Sequence, residues 1–254
     1  MHNPKRKYKI GVKERSIHQE KGFILKNVKD FGLPPVISYV IEVQKWKRFA
    51  SHPQNPIVPL VRKFYLNILI GVKVSFSTST INMHLGSEDA VDDYIPLLES
   101  ISLDELNRVL SSLTIKGTNW LPNKGDGVVM CSRPALHPIP KIWYHFIRTR
   151  LIPTTHVETV NKARLVLLHC IIEGKNINVG QIIQREIYAY SFKPKGCLFF
   201  PSLISELCLK SGVDVNSSDE ILPNTAAIST IAIKRFSSHA SKPAAGPPQL
   251  QGLE

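Results

Sequence analysis

PTTHVETVNKARLVLLHCIIEGKNINVGQIIQREIYAY, residues 153–190, decides the fold. Thr155 and Glu158 have the S/T-x-x-E spacing of a capping box, so the spacing predicts a helix opening there. It runs apolar through residues 165–168 and Ile171 and Ile172 and stops at Gly174, a residue free to adopt the left-handed turn that closes helices. A helix apolar on every side belongs inside a core. Asn178 and Gln181 open a second helix, with Val179, Ile182, Ile183, Ile187 and Tyr190 on one face. The pair reads as a helical hairpin with a buried first arm.

Helical signals continue in both directions. Downstream, Pro201 suits the first turn of a helix that buries Leu203, Ile204, Leu207 and Cys208 and stops before Gly212. Upstream, Val40, Val43, Trp46 and Phe49 follow one stripe over 35–50, and Leu60, Phe64 and Ile68 another. Ser77 caps a short helix closed at Gly86, and Ser102 with Glu105 makes a capping box for a helix reaching residue 113. VKVSF at 72–76 alternates as a strand does, with GVVMC at 127–131 as its partner. The expectation is a mainly α fold: a single helical domain of about seven helices with one short β-hairpin. The domain is placed at 22–215, a basic flexible arm at 1–21, and a linker and disordered tail at 216–254, where Ser, Ala, Pro and Gly dominate.

Charge narrows the function classes. The formal net charge is +12, and such a field favours polyanions. Residues 1–25 hold seven Lys or Arg against Glu14 and Glu20. The one acidic block, 86–105, is placed to meet that arm. A membrane span needs about 18 or more apolar residues, and the best run, LVLLHCII at 165–172, is far shorter. The basic start lacks the apolar centre of a secretory signal, which predicts an intracellular location, nuclear ahead of cytoplasmic because KRKYK at 5–9 suits a nuclear signal. Cys131, Cys170, Cys197 and Cys208 form no CxxC pair and read as reduced, mostly buried thiols.

Catalytic sites place defined residue types at defined spacings. An RNase-H-type transposase needs three carboxylates converging on two metals, but most acidic residues here crowd into 86–105. His169 and Cys170 point about 100° apart on a helix, so they do not start a zinc site. Neither a G-x-S-x-G elbow nor a G-x-x-x-x-G-K-[ST] loop is present. The expectation is therefore no enzyme, no cofactor and no metal.

RLIPTTHVETVNKARLVLLHCIIEGKNINVGQII at 150–183, followed by GCLFFPSLISELCLKSGV at 196–213, resembles the "putative plant transposon protein" domain of plant retroelements related to the Athila group. GFIL at 22–25, VRKFYLNIL at 61–69, VKVSFSTSTINMHLG at 72–86 and GTNWL at 117–121 are similar to that family's earlier blocks. Where the family usually carries an Arg-Gly-Lys turn, this chain reads IGVKV at 70–74. The resemblance covers roughly 22–215 and implies a retrotransposon origin. It carries no catalytic residues over.

The remaining chemistry is cationic. Lys5, Arg6, Lys7 and Lys9 in the arm, and Lys141, Arg148, Arg150, Lys162 and Arg164 near Trp143, Tyr144, His145 and Phe146, are the candidate phosphate contacts. Arg148 and Arg150 are expected beside the helix end capped by Thr155, where backbone N–H groups favour anions. The leading expectation is a sequence-tolerant RNA- or DNA-binding domain. The alternative is a capsid-like self-assembly or protein-interaction module forming homo-oligomers, and the third is a transposase or integrase type of enzyme. No membrane partner is expected.

Overall fold

Side-chain caps and left-handed glycines fix several helix ends. The computed structural model describes residues 11–12, 14–25, 33–68, 74–87, 89, 91–121, 129–193 and 195–238. Lys5, Arg6, Lys7 and Lys9, and the tail beyond 238, lie outside the described residues. Among those described, helices α1 to α6 are Pro35–Val43, Lys47–Ala50, Val58–Ile68, Thr78–Leu85, Tyr94–Ser100 and Leu103–Leu113. Helices α7 to α11 are Pro138–Arg150, Lys162–Ile172, Val179–Ser191, Pro201–Lys210 and Thr230–Ser238. The fold is mainly α.

Several ends follow from local chemistry as expected. Ser77 accepts from Thr80 N, and Gly86 closes α4 at φ 69°. Ser102 and Glu105 form the reciprocal capping box of α6. Asn178 accepts from Gln181 N to open α9, and Pro201 stands in the first turn of α10. The stripe over 35–50 divides into α1 and α2 because Lys45 turns left-handed, at φ 55°.

The expected start of α8 is corrected. The Thr155–Glu158 box does not form; α8 begins at Lys162, with Asn161 accepting from Arg164 N. The residues before it form β2 (Thr159–Asn161), paired antiparallel with β1 (Met130–Ser132) and with Cys131 opposite Val160. Extended backbone suits β-branched Val157, Thr159 and Val160 better than a first helical turn does. The sheet is therefore not the expected pairing with 72–76, of which residues 72–73 lie outside the described residues; residues 74–76 are not strand.

α8 is the central helix: Leu165, Val166, Leu167 and Leu168 are fully buried, and α5, α6 and α7 pack on it. α9 does not fold back as a hairpin arm but packs chiefly on α4. Gly180 permits this approach, since a Cβ there would sit 2.4 Å from Thr78 O. α10 lies on α3, and α11 on α7. Phe23, Trp46, Phe49, Trp143 and Phe146 join in one edge-to-face and stacked ring cluster.

Both flanks contribute to this core. In the stretch expected as a mobile arm, Val12, Arg15 and Glu20 are buried, and Arg15 donates to the carbonyls of Tyr190, Lys193, Gly196 and Cys197. Over 216–238, expected as linker, Ile221 bridges to Ile57, Ile228 to Phe23, and Ile233 is buried. The acidic block is also put to local use. Asp92 accepts from Asn178 N and Asp93 from Asn176 N, which holds the loop between α8 and α9.

Candidate nucleic-acid interface

Helix α7 sorts its residues by face. Trp143, Tyr144, Phe146 and Ile147 are fully buried, so these rings are core and are not free to stack on bases. Lys141, His145 and Arg148 fall at i, i+4 and i+7, one stripe on the helix. His145 and Arg148 are half-buried, and Lys141 is buried with its Nζ donating to Pro134 O at 3.0 Å. Lys21, His18 and Arg133 lie within electrostatic reach of this stripe.

The titration shifts show the sign of the local field. Burial, then Arg148, Arg133, Lys21 and Lys141, push His145 down to about 3. Burial is also the largest influence on His18, which falls to about 4 as the pull of Glu20 is outweighed and Arg148 adds to the fall. Lys21 is lowered by burial and by Arg148. Arg148 is lowered by burial first, with Arg133 adding to it against Tyr144 and Glu158.

Counter-charge is sparse. Glu158 pairs with Arg133 at 3.3 Å, but its side chain is 67% exposed, which leaves that pair largely to solvent. Glu20 is already taken by Arg150 and by Ser202 N. The Arg148 Nε is buried and has no hydrogen-bond partner. The guanidinium therefore sits in a positive local field with little opposing charge.

The other expected contacts separate by location. Arg150 Nη1 donates to Glu20 Oε1 at 2.7 Å and Nη2 to Phe49 O at 3.2 Å. Arg164 Nε and Nη2 donate to the carbonyls of Ile152 and Pro153. Both guanidinium groups are internal ties with buried side chains. Lys162 is half-exposed at the first position of α8. The helix end expected next to Arg148 and Arg150 is not at Thr155, because α8 starts at Lys162. Of the expected residues, Lys141 and Arg148 come together around His145. Lys21 and Arg133 were absent from the expected set, and the 141, 145, 148 spacing was the signal that marks the stripe.

Among the described residues no group of three or more His, Cys, Asp or Glu is placed to hold a metal ion. Burial raises Cys131 to about 11, Cys170 to about 12 and Cys208 to about 11, so these thiols stay protonated. No described helix is long and apolar enough to cross a membrane.

These features define a mainly helical domain with an undercompensated cationic stripe on one helix. Residues 42–214 match the family model described as "Putative plant retrotransposon-related domain". The chain belongs to that family, and it is a plant retrotransposon-derived protein. No curated protein and no solved structure matches it. The matched range includes α7 and its stripe, while Lys21 and His18 precede it.

Proposed function

We propose that this domain binds RNA or DNA through its phosphates, with little regard to base sequence and without catalysing a reaction. The observation that carries the reading is Arg148, half-buried on the α7 stripe with the cations Lys21 and Arg133 among its electrostatic neighbours and Glu158 as the opposing charge. Buried aromatic rings on the same helix leave phosphate contact, rather than base stacking, as what this face offers. Neutralising about three phosphates through Lys21, Arg133 and Arg148 makes affinity fall roughly forty-fold between about 50 and about 200 mM salt.

Fluorescence anisotropy with labelled single-stranded RNA and duplex DNA across that salt range tests this. Salt-dependent binding weakened by Arg148→Ala supports the reading; salt-independent binding, or none, sinks it. A second reading, self-assembly, has α1 on its side, where Val36, Tyr39 and Val43 stand at i, i+3 and i+7 and are 42%, 62% and 51% exposed. Sedimentation at rising concentration, with Tyr39→Ser for comparison, separates a second copy docked there from a monomer that only binds nucleic acid.

A further inference from the structure

Residues 15–25 run between the ends of three helices as a strap. Arg15 and Glu20 are its buried charges, and each meets the helix pole of opposite sign. Arg15 donates to the carbonyls of Tyr190, Lys193, Gly196 and Cys197 at the C-terminal end of α9, where a cation is favoured. Glu20 accepts from Ser202 N at 2.8 Å in the first turn of α10, where an anion is favoured, and from Arg150 Nη1 at 2.7 Å at the end of α7. Exchanging the two charges would set each against the wrong pole, so their order fixes the direction of the strap. Backbone bonds complete the placement: His18 N donates to Leu198 O at 3.0 Å, Phe23 N to Ala50 O at 2.8 Å and Ile228 N to Gly22 O at 2.8 Å.

Lys21, the residue after Glu20, belongs to the other side of the strap. Its carbonyl accepts from Thr149 Oγ1 at 3.3 Å, and Thr149 follows Arg148 on α7. Its side chain is half-buried and lies in the fields of Arg148 and His145. Like charges repel, so Lys21 does not approach Arg148 on its own account. The bonds of Arg15, Glu20 and the strap backbone hold it there. An oxyanion bound between Lys21 and Arg148 turns that repulsion into two attractions.

We propose that Glu20 is a positioning residue for phosphate binding: its tie to Arg150 and Ser202 N holds Lys21 against the α7 stripe, so strap docking and nucleic-acid binding strengthen each other. This rests on the phosphate-binding reading above and adds a conformational control to it. The coupling is reciprocal, because a phosphate that binds more tightly to the docked form also holds the strap down.

One sign separates positioning from plain charge. Glu20 is an anion close enough to act on His18, a neighbour of Arg148. On charge alone, Glu20→Gln raises the local positive potential and tightens phosphate binding. Positioning requires the reverse.

Fluorescence anisotropy of the full chain with single-stranded RNA and duplex DNA, between about 50 and about 200 mM salt, tests the proposal. Glu20→Gln is expected to weaken binding and to lower the slope of log affinity against log salt by about 1, as Lys21→Ala does, and the double variant to lose no more than either. Tighter or unchanged binding by Glu20→Gln, or additive losses, overturns it. Should Glu20→Gln fail to fold, hydrogen exchange on the wild-type chain decides: the strap-bond amides of His18, Phe23 and Ile228 exchange at least about fivefold more slowly with saturating oligonucleotide, and Lys21→Ala loses that gain. A smaller gain, or one equal in Lys21→Ala, also overturns it. Oligonucleotide binding weakened by Arg148→Ala without these strap effects removes the coupling and leaves the stripe, whereas absence of oligonucleotide binding removes both.

Discussion

Arg150 and Glu20 form a buried ion pair 2.7 Å long, with side chains 6% and 2% exposed, that locks the N-terminal segment onto the end of α7. The second oxygen of Glu20 accepts from Ser202 N at 2.8 Å, and the second Arg150 nitrogen donates to Phe49 O. One pair thus ties four segments. Removing a single partner strands a charge in the interior, which costs about 3–5 kcal/mol. Glu20→Ala is expected to lower the urea midpoint accordingly, and Glu20→Gln paired with Arg150→Gln to recover part of the loss. Equal midpoints for wild type and Glu20→Ala would show that the tie contributes nothing.

Arg148 predicts the opposite pattern. Its half-buried guanidinium has an unpartnered Nε, so Arg148→Ala gives up little internal bonding. The substitution should leave the unfolding midpoint near wild type while reducing the slope of log affinity against log salt by about 1. Arg164→Ala, which loses the bonds to Ile152 O and Pro153 O, should change stability and not that slope. If both variants moved the slope alike, phosphate contact would not be specific to the α7 stripe.

What could be read from the sequence was local. The caps Ser77, Ser102 with Glu105, and Asn178 lie within three residues of what they cap, so spacing alone exposes them. The start of α8 has an equally good local spacing at Thr155 and Glu158, but the pairing of residues 159–161 with 130–132 overrides it, and that partner is distant in sequence. α7 has a polar stripe at 141, 145 and 148, but it opens with Pro138 and Pro140, which read locally as a chain break rather than as a first helical turn. The tie from Arg150 spans 130 residues to Glu20, so nothing near Arg150 marks it as internal rather than available to phosphate.

Gly180 makes the packing of α9 on α4 testable. A methyl group there would meet Thr78 O at 2.4 Å and Asn82 Oδ1 at 2.6 Å, both well inside contact distance. Asn82 Oδ1 already accepts from Gly180 N at 2.7 Å and Asn82 Nδ2 donates to Asn178 Oδ1 at 2.8 Å, so the site cannot open without breaking a buried network. Gly180→Ala is expected to destabilise the domain by about 1–3 kcal/mol, the usual penalty of overpacking. Alanine ordinarily favours helix over glycine, so a stabilised Gly180→Ala in urea unfolding would refute the close approach.

Acid should weaken the fold through the histidines beside Arg148. Both start from 6.5 in the unfolded chain and fall on folding, His18 to about 4 and His145 to about 3, with burial the main cause in each. A folded value below the unfolded one means that the unfolded chain takes the proton first. Their contribution is therefore complete above about pH 6.5 and declines as pH falls from there through the folded values, by at most about 1.4 kcal/mol per pH unit for each histidine. Glu186 runs the other way, since burial raises it from 4.5 to about 7 and its proton favours the folded chain across part of the same window. The informative quantity is consequently the difference between wild type and His145→Gln in urea midpoint at about pH 7.5 and about pH 5. The variant should lose less stability than wild type between those points. A bound oligonucleotide should also shrink the wild-type loss, because phosphates near Arg148 offset the field that opposes the His145 proton. An acid response identical in the two proteins, with or without oligonucleotide, would place His145 outside that field.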